Sequence, residues 1–367
     1  MQIDIPRGLL PSDGRFGSGP AKVRPEAMAH LMARSEVMGT SHRQAPVRDL
    51  VREIQEGLAG LYSLPDGYEV ALGNGGSSAF WDLAVFSLVQ DRAAHGVFGE
   101  FTRKFATASA SAPFLSQPKI FETAPGGVAV PEACDVDTYC WAQNETSTGA
   151  AAPVKRVGDG LVLVDATSAA GGIDADISAT DAYYFAPQKN FSSDGGLWFA
   201  FLSPAAIERT AAIKASGRWI PAFLDLSTAI TNSRQHQTVN TPAIATLLLM
   251  ADQIRWMEDL GGLESVAARC ETSTSTVYRW ADERGWASPF VRLPEDRSPV
   301  VATIDLDERM DAKLISSVLR VNGIVDVDPY RALNRNQLRI GCYAAVDPGD
   351  VEALMACIDH VAERIAQ

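Results

Sequence analysis

Short apolar runs alternate along much of this chain with longer stretches in which apolar positions recur every three or four residues. From Phe16 to about Asp252 the short runs predict strands at 69–72, 96–98, 119–122, 138–142, 161–165, 183–186 and 197–202. The longer stretches predict helices, among them 45–61, 78–89 and 102–109. Alternation of this kind is the signature of an α/β unit with a mainly parallel, seven-stranded sheet. Only a short link containing Ser192-Ser-Asp-Gly-Gly196 separates the last two runs. No helical crossover fits there, so an antiparallel strand is expected.

The texture changes near Gln253. A long helical stretch runs to Trp286, interrupted near Gly261-Gly262, and is followed by strands predicted at 300–305, 323–327 and 337–343. A helix is predicted over 311–322, and another begins at Pro348, where Val351, Leu354, Met355, Ile358, Val361 and Ile365 repeat at helical spacing. The reading is a polar arm at 1–15, a large domain at 16–252 and a small α+β domain at 253–367. No internal repeat or low-complexity segment stands out.

With 367 residues, 46% hydrophobic and 21% charged, the chain can bury a large core. Its net charge of −13 argues against nucleic acid or an anionic membrane as partner. No apolar run approaches the roughly 20 residues of a membrane helix. The start, Met1-Gln-Ile-Asp-Ile-Pro-Arg7, lacks a basic region followed by an apolar stretch, so no signal peptide is expected. The five cysteines are scattered without metal-ligand spacing. They read as buried residues of a reducing compartment, and the expected location is the cytoplasm.

The chemistry concentrates at two strand ends. Lys189 follows the run Ala182-Tyr-Tyr-Phe-Ala186, and Asp165 ends Leu161-Val-Leu-Val164. Neighbouring strands thus bring an amine and a carboxylate to one sheet edge, the pair that pyridoxal phosphate needs for its Schiff base and its pyridinium nitrogen. Gly73-Asn-Gly-Gly-Ser-Ser78, between a strand and a helix, offers backbone N–H groups for a phosphate. By itself it is a weak signal, and Phe16-Gly-Ser-Gly-Pro-Ala21 alone reads as a flexible connection. Ser41-His-Arg43 precedes a helix, and a guanidinium fork with a histidine donor suits a carboxylate or phosphate. Thr146, in the turn Asn144-Glu-Thr-Ser-Thr-Gly149, lies at the same predicted edge as Asp165. Late in the chain come Tyr330-Arg331, Arg335 and Arg339. Periodicity leaves open whether Arg339 faces a cleft or solvent.

Together these motifs resemble the phosphoserine aminotransferase family, class V pyridoxal-phosphate enzymes of fold type I, from Phe16 through Tyr343. The most specific matches are Ser41-His-Arg43, Asn144-Glu-Thr146, Asp165-Ala-Thr-Ser168, Gln188-Lys-Asn190 and Val239-Asn-Thr-Pro242. The resemblance implies that Lys189 carries the cofactor, that Asp165 pairs with its ring nitrogen and that Thr146 bonds its phenolic oxygen. It implies a phosphate site of Gly76, Ser77 and Gln188, with Asn240 and Thr241 supplied by the partner in a homodimer with shared sites. His42, Arg43 and Arg339 then bind the anionic ends of glutamate and a phosphorylated 2-oxo acid, with Arg331 a weaker candidate. Two departures stand out: Ser77 where many members have arginine, and Phe101 where they stack a tryptophan on the cofactor ring. The implied reaction moves an amino group between glutamate and 3-phosphohydroxypyruvate, a step of serine biosynthesis. Other class V activities compete, such as alanine–glyoxylate aminotransferase or cysteine desulfurase. A desulfurase needs a cysteine on a mobile loop, and Cys342 and Cys357 are predicted in a strand and a helix. A cofactor-free interaction protein of the same fold is the reading from another class.

Overall fold

A computed structural model describes residues 3–365. The large sheet has seven strands: β1 Glu69–Asn74, β2 Ala93–Val97, β3 Lys119–Glu122, β4 Thr138–Ala142, β5 Leu161–Asp165, β6 Ala182–Phe185 and β7 Leu197–Leu202. Their spatial order is β1-β7-β6-β5-β4-β2-β3. Pairs from β6 to β3 are parallel, whereas β7 lies antiparallel between β6 and β1. Strands β2 and β4 to β7 are buried at every position. Helices cover both faces of such strands, which is why their sequences are mostly apolar instead of alternating, with His95, Thr138 and Asp165 the exceptions. Phe185, Phe199 and Phe201 pack on one face of the sheet, and Tyr184, Trp198 and Phe80 pack on the other.

The C-terminal part has its own antiparallel sheet, in which Val301–Leu306 lies between Ala287–Pro289 and Gln337–Gly341. Helices Leu263–Asp282, Ala312–Val321 and Pro348–Ile365 close its core.

Three expectations change. Residues 3–15 of the expected arm are not a separate polar segment: Ile3 and Ile5 are buried in the C-terminal core, and the Ser12 amide donates to Asp350 Oδ1 at 2.7 Å, while residues 1 and 2 lie outside the described residues. A boundary between Asp252 and Gln253 would cut the helix Ile244–Asp259, whose buried face packs on the large sheet's core. We propose Gly261-Gly262, both at positive φ, as the division instead. The strand expected at 323–327 reduces to a single parallel bridge between Val325 and Arg15, because Gly323 and Asp326 flank it at positive φ.

Candidate active site

Strands β4, β5 and β6 end on one side of the sheet, and a cavity of about 380 Å³ opens there. Parallel α/β sheets bind ligands at this edge because the loops after the strands diverge and leave a crevice. Gly76, Ser77, Phe101, Thr146, Asp165, Gln188 and Lys189 all line the cavity. Seven of the expected site residues therefore meet in one place.

Asp165 closes the bottom. Its Oδ2 accepts from the Trp81 indole N–H at 2.9 Å, and its Oδ1 accepts from the Thr167 amide at 2.9 Å and from the Thr167 hydroxyl. Burial raises its pKa above the ordinary carboxylate range, and the bonds from Thr167 and Trp81 oppose the rise. A buried carboxylate of this kind is best satisfied by a cation placed beside it.

Lys189 is buried opposite. Its Nζ donates to the Ser18 carbonyl oxygen at 2.6 Å. Burial first, and Arg339 second, depress its pKa to about 7, against the pull of Asp165 and Glu145. Near neutrality much of this amine is uncharged and nucleophilic, as a Schiff-base lysine must be.

The phosphate end fits as well. Gly75 and Gly76 sit at φ 108° and 71° and open the helix Gly76–Ser87, which carries no acidic residue in its first turn. Its free N–H groups and dipole favour an anion. The Ser77 and Thr167 hydroxyls lie 2.6 Å apart, while Gln188 Oε1 and Asn144 Oδ1, buried without a partner among the described residues, are acceptors that would meet a donor and not the phosphate. Phe101 is held at the wall because Glu145 Oε2 accepts from the amides of Phe101 and Thr102 at 3.1 and 3.0 Å. Glu145 also takes both the amide and the hydroxyl of Ser147, so its role is to anchor this loop. The donor set, the buried acid and the low-pKa amine match pyridoxal phosphate end to end.

Arg339 is half-buried beside the cavity. Its Nη1 donates to the Thr146 carbonyl at 3.3 Å, its guanidinium lies 5.3 Å from the Tyr330 ring, and its Nε is unpartnered among the described residues. Arg335 pairs instead with Asp305 at 3.0 Å and stacks on Phe290, and Arg331 is exposed on the turn Arg331–Leu333.

Six expected residues do not line the cavity: Arg331 and Arg339, and a group of four at 42, 43, 240 and 241. His42 Nδ1 lies 3.2 Å from Thr241 Oγ1, Arg43 donates to Gln237 Oε1 at 2.7 Å, and Asn74 donates to the Thr241 carbonyl at 3.0 Å. His42, Arg43, Asn240 and Thr241 thus form a surface cluster of their own, and Arg43, Asn240 and Thr241 are exposed.

Residues 133–326 match the family Aminotransferase class-V. The chain belongs to that family. A phosphoserine aminotransferase from Nocardioides sp. is 55% identical over 370 residues, covering 99% of both chains. Phosphoserine aminotransferases in solved structures share the fold at low identity. A phosphoserine aminotransferase from Cytophaga hutchinsonii superposes with a TM-score of 0.87 at 21% identity, covering 95% of this chain and 99% of its own. One from Bacillus circulans subsp. alkalophilus gives 0.84 at 20%, covering 96% and 99%. As a class-V aminotransferase the chain is a pyridoxal-phosphate-dependent transaminase. Trp81 and Thr167 escaped the sequence reading because each resembles something ordinary: a core aromatic in an apolar helix, and a turn hydroxyl.

Proposed function

We propose that this transaminase exchanges an amino group between glutamate and 3-phosphohydroxypyruvate, giving O-phosphoserine and 2-oxoglutarate. The observation that carries the reading is full-length 55% identity to a protein bearing that activity's name. The cavity, which pairs a buried acid with a low-pKa lysine, agrees with it. Pyridoxal phosphate, when bound, supplies an electron sink for the substrate's α-carbon. Asp165 keeps positive charge at the ring nitrogen, held in place by Trp81 and Thr167. Lys189 moves the proton at the α-carbon, and its depressed pKa suits a base working near neutrality. Phe101 would cover the ring, Thr146 would bond its phenolic oxygen, and Gly76, Ser77 and Gln188 would hold the phosphate. The test is to add glutamate to purified yellow protein, follow loss of the visible band, and then screen phosphorylated and unphosphorylated 2-oxo acids for its return. Recovery with pyruvate or glyoxylate but not with phosphohydroxypyruvate would favour the alanine–glyoxylate reading.

Arg339 is proposed as the main substrate carboxylate clamp, since Ser77 contributes no charge. A charge-assisted bidentate contact contributes roughly 1.5–3 kcal/mol, or about one to two orders of magnitude in rate. Arg339→Ala should therefore lower kcat/KM by about 10- to 100-fold with cofactor absorbance intact, and Arg339→Lys should recover only part of it. Wild-type turnover in Arg339→Ala would move the clamp to another residue.

The His42, Arg43, Asn240 and Thr241 cluster is proposed to serve the cavity of a second subunit, which explains why four site-type residues lie outside their own. Mixing inactive Lys189→Ala with inactive Asn240→Asp/Thr241→Ala should then restore activity, because one hybrid site receives both intact halves. Proven subunit exchange without recovery would return the cluster to its own protomer.

A further inference from the structure

Phe16-Gly-Ser-Gly-Pro-Ala21 is not a flexible connection. Phe16 is fully buried, the Gly341 amide donates to its carbonyl at 2.8 Å, and the Ala21 amide donates to the Gln188 carbonyl at 2.8 Å. The segment therefore joins the small sheet to the residue preceding Lys189. Between those two ties, the Ser18 carbonyl points at the cavity and accepts two hydrogen bonds. One comes from Lys189 Nζ at 2.6 Å and the other from the Tyr343 hydroxyl at 2.8 Å. The Tyr343 ring is buried with its centroid 5.9 Å from Nζ. Gly19 sits at φ 138°, where a side chain is strained, and a Cβ there would lie 1.9 Å from Nζ as it stands.

The geometry points to a holding site for the free amine: when Lys189 is not joined to the cofactor, the Ser18 carbonyl receives it and Tyr343 tunes that carbonyl. This rests on the transaminase reading, in which the lysine is released and recaptured once per half-reaction. A backbone carbonyl suits the task because it accepts from an amine and from an ammonium alike. The Tyr343 hydroxyl withdraws electron density from the same oxygen and so weakens its preference for the ammonium. Tyr343 stays a neutral donor, since burial raises its pKa, with Arg339 opposing. The charged groups facing the amine are Arg339, which disfavours its proton, and Asp165 and Glu145, which favour it. Tyr343 is a positioning residue on this account.

The test is Tyr343→Phe, which keeps the ring and removes the donor. Holoenzyme is treated with glutamate, and Lys189 is reductively methylated with formaldehyde and cyanoborohydride across pH 5.5–9.5 at roughly even steps. Peptide mapping follows Lys189, with exposed Lys313 as the internal reference. With the hydroxyl gone, the carbonyl favours the ammonium, so the Lys189 profile should move up by about half a unit to one unit relative to wild type. The Lys313 profile should stay in place, and matching thermal unfolding should show that the fold is kept. Superimposed Lys189 profiles after the visible band has been lost to glutamate would overturn the holding site alone. Persistence of the band under glutamate would overturn the transaminase reading and the holding site with it.

Discussion

Lys189→Ala should abolish transamination, lowering turnover by on the order of 10⁴-fold or more, because the proposed mechanism gives one side chain both the covalent attachment and the proton transfer. The purified variant should lack the Schiff-base band of the wild type, and any cofactor it still binds should absorb as the free aldehyde. Borohydride should fix the cofactor to Lys189 in wild type and to no peptide in the variant. Labelling at any other lysine would sink the assignment. A stability measurement on cofactor-free protein gives a second check, with a definite sign. The folded pKa of Lys189, about 7, lies below its unfolded value of 10.5. Between those pH values the unfolded chain binds a proton that the folded chain does not, so wild-type stability rises with pH across that window. Below pH 7 the burial penalty is complete. Relative to wild type, Lys189→Ala should look most favourable at low pH and lose that advantage as pH approaches 10.5. A difference in stability between the two proteins that does not change with pH would mean that the amine is not buried as described.

How much of this was legible beforehand depended on burial and on length. Strands β4, β5 and β7 were bounded correctly because both of their faces are covered and every position but Thr138 and Asp165 is apolar, and the less buried β3 was bounded correctly as well. The hairpin of Asn144–Glu145 with Ala150–Ala151 has two residues per strand, too few to show a period, and Ala287–Pro289 is nearly as short. Isoleucines at 3 and 5 among polar neighbours gave no sign of the core they join. In the site, residues that end a buried strand could be read, since the sheet edge fixes where they go. Arg339 could not, because its direction depends on how the small sheet packs against the Thr146 loop. The Phe16–Ala21 segment was misread for a related reason. Glycines there signal close approach, at 17 to the Pro20 carbonyl and at 19 to Lys189, and sequence alone cannot distinguish close approach from flexibility.

Asp165→Asn should be the next most damaging change, and it separates charge from shape. The amide has nearly the volume of the carboxylate, so the cavity floor should persist. However, Trp81 and Thr167 both donate to Asp165, and an amide offers only one oxygen to meet them. Its NH₂ must then face a donor, and the negative charge that keeps the ring nitrogen protonated is gone. Preorganised electrostatic contacts of this kind are worth about 10²–10³ in kcat when one is removed, and here the lost charge acts on the electron sink itself. Turnover should fall by at least that factor while KM for glutamate changes little, since Asp165 closes the floor of the cavity and is not part of the proposed carboxylate clamp at Arg339. Lys189 is untouched, so the variant should remain yellow and borohydride should still fix cofactor to it, unlike Lys189→Ala. Asp165→Glu keeps the charge but forces an extra methylene into a buried corner, and should recover part of the rate at some cost in stability. Turnover of Asp165→Asn within about tenfold of wild type would mean that a neutral floor suffices, and that the ring nitrogen draws its proton from elsewhere.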